Sequence, residues 1–121
     1  MFKSKRVLVC GGRDYHDKYR VYSTLDRLRL IFDISTLIHG GAPGADSLAA
    51  SWAQVRGIKT EAFIADWLKY PKSAGPIRNR QMLDLGRPDL ILAFPGGAGT
   101  AHMVRIAREA GKYTIKLEKE S

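Results

Sequence analysis

Four segments of the sequence combine glycine with arginine, aspartate, asparagine or threonine, a combination suited to binding phosphate. Glycine lets main-chain N–H groups approach a phosphate closely and permits a positive φ, and arginine can donate two parallel hydrogen bonds to phosphate oxygens. The segments are Cys10-Gly11-Gly12-Arg13-Asp14-Tyr15, Gly40-Gly41-Ala42-Pro43-Gly44-Ala45-Asp46, Ala74-Gly75-Pro76-Ile77-Arg78-Asn79-Arg80-Gln81-Met82 and Pro95-Gly96-Gly97-Ala98-Gly99-Thr100.

These segments predict a site for a phosphate-bearing ligand. None has the G-x-G-x-x-G or Walker A pattern, so NAD and the usual ATPase chemistry are not indicated, and no cofactor is expected. A single glycine loop would favour a simple tight turn, whereas several loops favour binding to a phosphate. The predicted ligand-binding residues are Gly11, Gly12, Arg13, Gly40, Gly41, Gly44, Asp46, Arg78, Asn79, Pro95, Gly96, Gly97, Gly99 and Thr100.

Several of these side chains have a second interpretation. Asp46 opens a predicted helix, where a carboxylate can cap the helix as well as contact a ribose hydroxyl. Thr100 can likewise cap a helix or donate its hydroxyl to phosphate, and Arg13 can pair with Asp14 or Asp46 instead of a ligand. If the chain is a hydrolase, Asp14 and Asp46 are its candidate catalytic carboxylates. The histidines lack the spacing of metal ligands, so no metal site is expected.

Two aromatic residues in the same group of loops are candidates to stack on a nucleotide base, Tyr15 and Trp67. Trp52 instead follows Leu48 at helical spacing, which predicts a core position.

Strand-like and helix-like segments alternate along the chain. Strands are predicted at residues 6–10, 35–39, 59–64, 89–94 and 113–117, and helices at 21–32, from 45 to Gly57, about 76–85 and 100–110. Such alternation predicts parallel strands joined by right-handed crossovers. The expected fold is a three-layer, Rossmann-like α/β sandwich with a mostly parallel sheet of about five strands and the first strand in the centre.

The loops that leave the strands hold the glycines and the polar residues, whereas the loops that leave the helices are short and plain. In a parallel sheet all strand-to-helix loops emerge at one edge, where open α/β sheets bind ligands. The candidate residues are therefore expected to meet at the carboxyl edge of the sheet. A length of 121 residues predicts one domain over residues 1–121.

The chain has 20 Lys and Arg against 12 Asp and Glu, which gives a net charge of +8. Because the basic residues are spread along the chain, they favour a solvated basic surface over a nucleic-acid stripe. No apolar run is long enough to span a bilayer, and no signal peptide is recognised. The single cysteine fits a reducing compartment, so a cytoplasmic protein without a membrane partner is expected.

The four segments, in this order, resemble the SLOG superfamily in its YspA and cpYpsA-related branch. The resemblance implies a Rossmann-like fold and a nucleotide or nucleotide-derived ligand, of the nucleoside monophosphate or ADP-ribose type. Relatives in the superfamily include LOG-type phosphoribohydrolases, which cleave the N-glycosidic bond of nucleoside monophosphates, and DprA proteins, which bind single-stranded DNA.

One position departs from the phosphoribohydrolase pattern Pro-Gly-Gly-x-Gly-Thr-x-x-Glu, because Met103 replaces the catalytic glutamate. The resemblance therefore favours a sensor or binding module. The alternatives are a hydrolase of the N-glycosidic bond with an unusual acid and a single-stranded nucleic-acid-binding module. A homo-oligomer is a further expectation, because small relatives often pair through helices.

Overall fold

The computed structural model describes residues 4–120, which form one five-stranded sheet with helices on both faces. The strands are β1 (Ser4–Cys10), β2 (Asp33–His39), β3 (Lys59–Ala62), β4 (Leu90–Ala93) and β5 (Tyr113–Lys116). The helices are α1 (Lys18–Ile31), α2 (Ala45–Arg56), α3 (Ala74–Asp84) and α4 (Ala98–Glu109).

The strand order in the sheet is β3-β2-β1-β4-β5, and all four neighbouring pairs are parallel. Parallel strands need crossover connections, and each pair of consecutive strands in the chain is joined through one helix. The order confirms the predicted Rossmann-like α/β fold with β1 in the centre.

Alternating side chains of the central strand separate the core into two layers. Val7 and Val9 belong to a buried cluster with residues of α1 and α2, whereas Leu8 and Cys10 belong to a second cluster with residues of α3 and α4. The period of two along a strand places successive side chains on opposite faces of the sheet. Trp52 is fully buried in the first cluster, as its spacing predicted.

Six predicted boundaries were wrong by two or three residues, because β1, β2, α1, α3 and α4 begin earlier than predicted and β3 ends earlier. β3 ends at Ala62, because its neighbour β2 ends at His39 and only the Phe63 N–H still reaches the His39 carbonyl, at 2.9 Å. α4 begins at Ala98 instead of Thr100, after the extended residue Gly97. Thr100 is therefore the third residue of α4, and the helix has no side-chain cap. None of the helices within residues 4–120 combines the length and apolar character needed to cross a bilayer.

Candidate functional site

A cavity of about 590 Å³ opens at the carboxyl ends of the central strands, between the first turns of α3 and α4. We call it the strand-end cleft. Its walls include eleven of the predicted site residues, namely Gly11, Gly12, Arg13, Asp14, Asp46, Trp67, Arg78, Asn79, Gly97, Gly99 and Thr100. Six of the predicted site residues do not line it, namely Tyr15, Gly40, Gly41, Gly44, Pro95 and Gly96.

Gly12 joins three strand-end loops through main-chain hydrogen bonds. Its N–H donates to the Pro95 carbonyl (2.9 Å), and its carbonyl accepts from the Ala45 N–H (3.1 Å). A Cβ at Gly12 would lie 3.1 Å from the Pro95 oxygen, which is tighter than ordinary contact. The loops that follow β1, β2 and β4 are therefore fixed against one another at the base of the cleft.

Three glycines outside the cleft leave room for the protein's own atoms. A Cβ at Gly40 would collide with the Arg78 guanidinium, one at Gly44 with the Gly12 carbonyl, and one at Gly96 with the Thr100 hydroxyl. Gly44 also has a φ of 82°, in the left-handed region that favours glycine. The structure thus accounts for these glycines by close packing and backbone conformation.

Gly97 and Gly99 differ from these, because they face open space at the start of α4. A Cβ at either residue would meet no atom within 4 Å, and both residues line the cleft. The first N–H groups of an α-helix have no partner inside the helix, and they form the positive end of its dipole. The start of α4 therefore presents accessible main-chain donors to the cleft.

α3 contributes its first turn and a half-buried arginine, although the Ala74 N–H already donates to the Tyr70 carbonyl (2.9 Å) and Pro76 has no N–H. Gly75 and Pro76 of its first turn line the cleft, and Ser73 makes no side-chain capping bond. Arg78 donates through Nη1 to the Gly40 carbonyl (2.6 Å) and through Nε to Asn79 Oδ1 (3.2 Å). Burial lowers the pKa of Arg78 from its usual value, but a guanidinium remains charged. Its Nη2 has no hydrogen bond to residues 4–120.

Asn79 connects Arg78 to α4 and determines the tautomer of His102. Arg78 can only donate, so the Asn79 atom that it contacts is the oxygen. Asn79 Nδ2 then donates to the Gly99 carbonyl (3.2 Å) and to His102 Nδ1 (3.1 Å). Neutral His102 therefore has its proton on Nε2. Burial, followed by the charges of Arg105 and Arg80, lowers the pKa of His102, which favours this neutral form.

Asp46 is a buried carboxylate in the wall of the cleft. Its Oδ2 accepts from the Gly40 N–H (2.9 Å) and the Ala42 N–H (3.3 Å). Both donors belong to the loop before α2, so Asp46 holds that loop and does not cap the helix, whose N-cap is Gly44. Burial raises the pKa of Asp46 above its usual value, and the two amides and Arg78 oppose the increase.

Two other polar groups near Asp46 are less available to a ligand. His39 Nδ1 accepts from the Gly41 N–H (3.0 Å), and burial lowers the pKa of His39. The Cys10 thiol lines the cleft, but burial and the charge of Asp46 raise its pKa to about 12. A thiol with this pKa is protonated at neutral pH and is a poor nucleophile.

The two aromatic candidates occupy different places. Trp67 is 47% exposed, lines the cleft, and lies beside Gly75 at the start of α3. Tyr15 packs its ring against Phe94 at 5.6 Å between centroids, next to the core layer of α1 and α2. Its hydroxyl is buried without a hydrogen-bond partner among residues 4–120. Trp67 therefore remains the aromatic surface of the cleft, while Tyr15 does not line it.

Met103 lies in the protein core. It is 0% exposed, in the cluster formed with α3, and it does not line the cleft. No group of three or more His, Cys, Asp or Glu residues within residues 4–120 is arranged to hold a metal ion.

Sequence reasoning missed seven residues of the cleft, namely Cys10, Ala42, Gly75, Pro76, Met82, Ala98 and His102. Sequence features at four of these positions could have identified them as residues of the cleft. Cys10 ends a strand, Pro76 begins a helix, and Ala98 lies inside a glycine loop. His102 is one helical turn beyond Ala98 on the same face of α4.

Comparison with known proteins gives two matches. The sequence profile of the YspA, cpYpsA-related SLOG family matches residues 5–70. The Gene 61 protein of Mycobacterium phage D29 is 39% identical over an alignment of 117 residues, which covers 88% of this chain and 91% of the phage protein. The similarity to the phage protein therefore extends beyond the segment that the family profile matches.

Proposed function

This chain belongs to the YspA, cpYpsA-related SLOG family, and from that membership we propose that its strand-end cleft binds a nucleotide or nucleotide-derived ligand as a sensor or binding module. The ligand is of the nucleoside monophosphate or ADP-ribose type. The observation that supports this proposal most directly is the meeting of the uncapped N-terminus of α4 and two arginines, Arg13 and Arg78, in one cleft.

The phosphate binds at the start of α4. The N–H groups of Ala98 and Gly99 donate to it, the Thr100 hydroxyl lies in the same turn, and no Cβ at Gly97 or Gly99 obstructs its approach. An anion there also interacts favourably with the helix dipole.

The two arginines supply positive charge to the phosphate in different ways. Arg78 is held by Gly40 and Asn79, so its free Nη2 is oriented before the ligand arrives. Arg13 is exposed and forms no ion pair among residues 4–120, so it is free to turn toward the phosphate. The ring of Trp67 offers the base an apolar surface at the α3 side of the cleft.

The core position of Met103 favours binding over hydrolysis, because that side chain cannot contact a ligand in the cleft. Asp46 supports hydrolysis of the N-glycosidic bond as a second candidate function. A buried carboxyl with a raised pKa is the kind of group that donates a proton to a leaving base.

Calorimetric titration with AMP and with ADP-ribose tests the proposal. Arg78→Gln removes the oriented cation, whereas Arg80→Gln, on the same helix but outside the cleft, removes an equal charge as the matched control. We expect Arg78→Gln to weaken binding at least about tenfold, which corresponds to about 1.4 kcal/mol, and Arg80→Gln to leave binding unchanged. Equal weakening by both variants, or no binding to the unaltered protein, contradicts the proposal.

Two additions to the same experiment separate the alternatives. Chromatography of the incubated nucleotides detects free adenine or ribose phosphate, and turnover that Asp46→Asn abolishes supports the hydrolase. Titration with a single-stranded oligonucleotide at several salt concentrations tests the nucleic-acid-binding module. Binding with a steep salt dependence supports that module, because each neutralised phosphate releases counterions.

A further inference from the structure

One oxygen of the Asp46 carboxylate is left free at the wall of the strand-end cleft. The residue is only 6% exposed, and its Oδ2 accepts two main-chain hydrogen bonds from Gly40 and Ala42. No hydrogen bond from residues 4–120 reaches Oδ1, and none of the ion pairs among them includes Asp46. Because the side chain lines the cleft, the partner for Oδ1 has to come from what occupies it.

Among residues 4–120, Oδ1 is not one of the fully enclosed side-chain atoms that lack a partner, so it stays open to solvent until a ligand covers it. Burial raises the pKa of Asp46, which shows that removal from water outweighs the help of Gly40, Ala42 and Arg78. A ligand hydroxyl that donates to Oδ1 replaces the contact with solvent, whereas a ligand without that hydroxyl leaves the carboxylate oxygen covered and unpaired. A site of this kind discriminates strongly against an analogue that lacks the donor.

The position of Asp46 relative to the start of α4 indicates which donor it meets. Gly12 joins the loop after β4 to the loop before α2, and β1 is the only strand between β4 and β2. The distance from β4 to β2 is two strand spacings, which amount to roughly 10 Å. This span accommodates a phosphate at the start of α4, the adjoining ribose and a hydrogen bond at each end. The donors next to the phosphate in a nucleoside 5′-phosphate are the two hydroxyls of its ribose.

We propose that Asp46 Oδ1 accepts a hydrogen bond from the ribose diol, so that the cleft selects ribonucleotides with an intact diol over their deoxy counterparts. This inference rests on the proposed function, since it assumes that the phosphate of the ligand binds at the start of α4. It adds the sugar as the part of the ligand that determines selectivity.

The first test compares AMP, 2′-deoxy-AMP and 3′-deoxy-AMP by calorimetry on the unaltered protein. Removal of the hydroxyl that faces Asp46 is expected to weaken binding at least tenfold. If AMP binds and both deoxy analogues bind within twofold of it, the inference is wrong while the proposed function stands. If none of the three nucleotides binds, the proposed function fails and the inference falls with it.

The second test uses Asp46→Asn, which preserves the loop while it changes the atom that faces the ligand. The asparagine oxygen can still accept from Gly40 and Ala42, and an NH₂ group replaces Oδ1. Binding of AMP is expected to fall to the level of the weaker deoxy analogue, so that the preference disappears. Asp84→Asn, an exposed position on α3 outside the cleft, removes an equal charge and is expected to retain the preference. Retention of the preference in Asp46→Asn overturns the inference.

A third measurement needs no variant and remains decisive if Asp46→Asn does not fold. The ¹³C resonance of the Asp46 carboxyl is recorded in the unaltered protein during titration with AMP and with the weaker deoxy analogue. A shift with AMP that is absent at saturation with the deoxy analogue supports the hydrogen bond. Equal shifts with both nucleotides contradict it.

Discussion

Glycines that look alike in the sequence have two different roles in the segment 95–100. Gly96 packs so closely that a Cβ would lie 2.7 Å from the Gly12 nitrogen and 2.9 Å from the Thr100 Cβ. Gly99, three residues later, faces open space in the first turn of α4. The absent side chain therefore makes room for the protein's own atoms at Gly96, whereas at Gly99 it leaves open space, as the proposed phosphate site requires.

This difference predicts opposite effects of the same substitution. Gly99→Ala is expected to leave the free energy of unfolding unchanged or to raise it by up to about 1 kcal/mol, because alanine favours a helix, while AMP binding weakens. Gly96→Ala is expected to lower the free energy of unfolding by roughly 1–3 kcal/mol through overpacking. Urea denaturation and calorimetry measure the two quantities. Unaltered AMP binding in Gly99→Ala would place the phosphate away from the start of α4.

Sequence reasoning at this scale identified which loops form the cleft but not what each glycine does. Gly40 and Gly44 were predicted to bind ligand, yet Arg78 covers Gly40, and the Gly12 carbonyl lies against Gly44. The role of a glycine depends on the atoms opposite its absent Cβ, and these come from distant segments. His102 was missed for a related reason, since its contact with Asn79 joins two helices through a side-chain hydrogen bond that the spacing of residues does not reveal.

At the scale of elements, α1 and α2 are joined by one carboxylate. The buried Trp52 donates through Nε1 to Asp26 Oδ1 (2.8 Å), and Arg56 donates through Nε and Nη2 to the two Asp26 oxygens (2.9 and 2.8 Å). The hydrogen bonds from Arg56 and Trp52 lower the pKa of Asp26 to about 2. The folded protein thus binds a proton at Asp26 less readily than the unfolded chain does.

This pKa predicts a loss of stability in acid. The contribution of Asp26 is fully present above its unfolded pKa of about 3.9 and is lost as the pH falls toward about 2. We expect the free energy of unfolding of Asp26→Asn to decrease less over this interval than that of the unaltered protein, as measured by urea denaturation at each pH. Asp84→Asn, which makes no such contacts, is the control. If the free energy of unfolding changes equally with pH in all three proteins, Asp26 does not contribute to the loss of stability in acid.

The order of the elements was predictable because β1, β2 and β4 contain short apolar runs, β3 and β5 follow soon after a glycine that ends a helix, and the helices have apolar faces. Their ends were less predictable, because they depend on neighbours. β3 ends where β2 no longer offers a partner, and α4 begins inside a glycine-rich segment whose composition suggested a loop. The Trp52 spacing showed burial, but it gave no indication that Asp26 would bind the indole nitrogen.

At the scale of the whole molecule, both layers of the core share the central sheet. The same strands supply Val7 and Leu92 to one layer and Leu8 and Ile91 to the other. Loss of either layer exposes a face of that sheet, so neither layer is expected to persist alone. We therefore propose that the chain folds as a single domain, and the homo-oligomer stays a prediction.

A single domain predicts one cooperative transition. In Trp67→Phe the remaining tryptophan, Trp52, reports on the layer of α1 and α2, while far-ultraviolet circular dichroism reports on all helices and strands. Thermal transitions recorded by the two methods are expected to coincide. A tryptophan transition that is separated from the circular dichroism transition would indicate that the two layers unfold independently.

At the base of the strand-end cleft, main-chain hydrogen bonds join the loops, from Gly12 to Pro95 and from Ala45 to Gly12. Those bonds do not involve the side chains of Arg13, Asp14 or Thr100, which line the same cavity. Substitution of these side chains can therefore change the groups that line the cleft without breaking the main-chain hydrogen bonds at its base. The groups that support the cleft are thus separate from these three side chains, so substitution of the side chains is expected to change ligand preference while Gly12 keeps the loops in place.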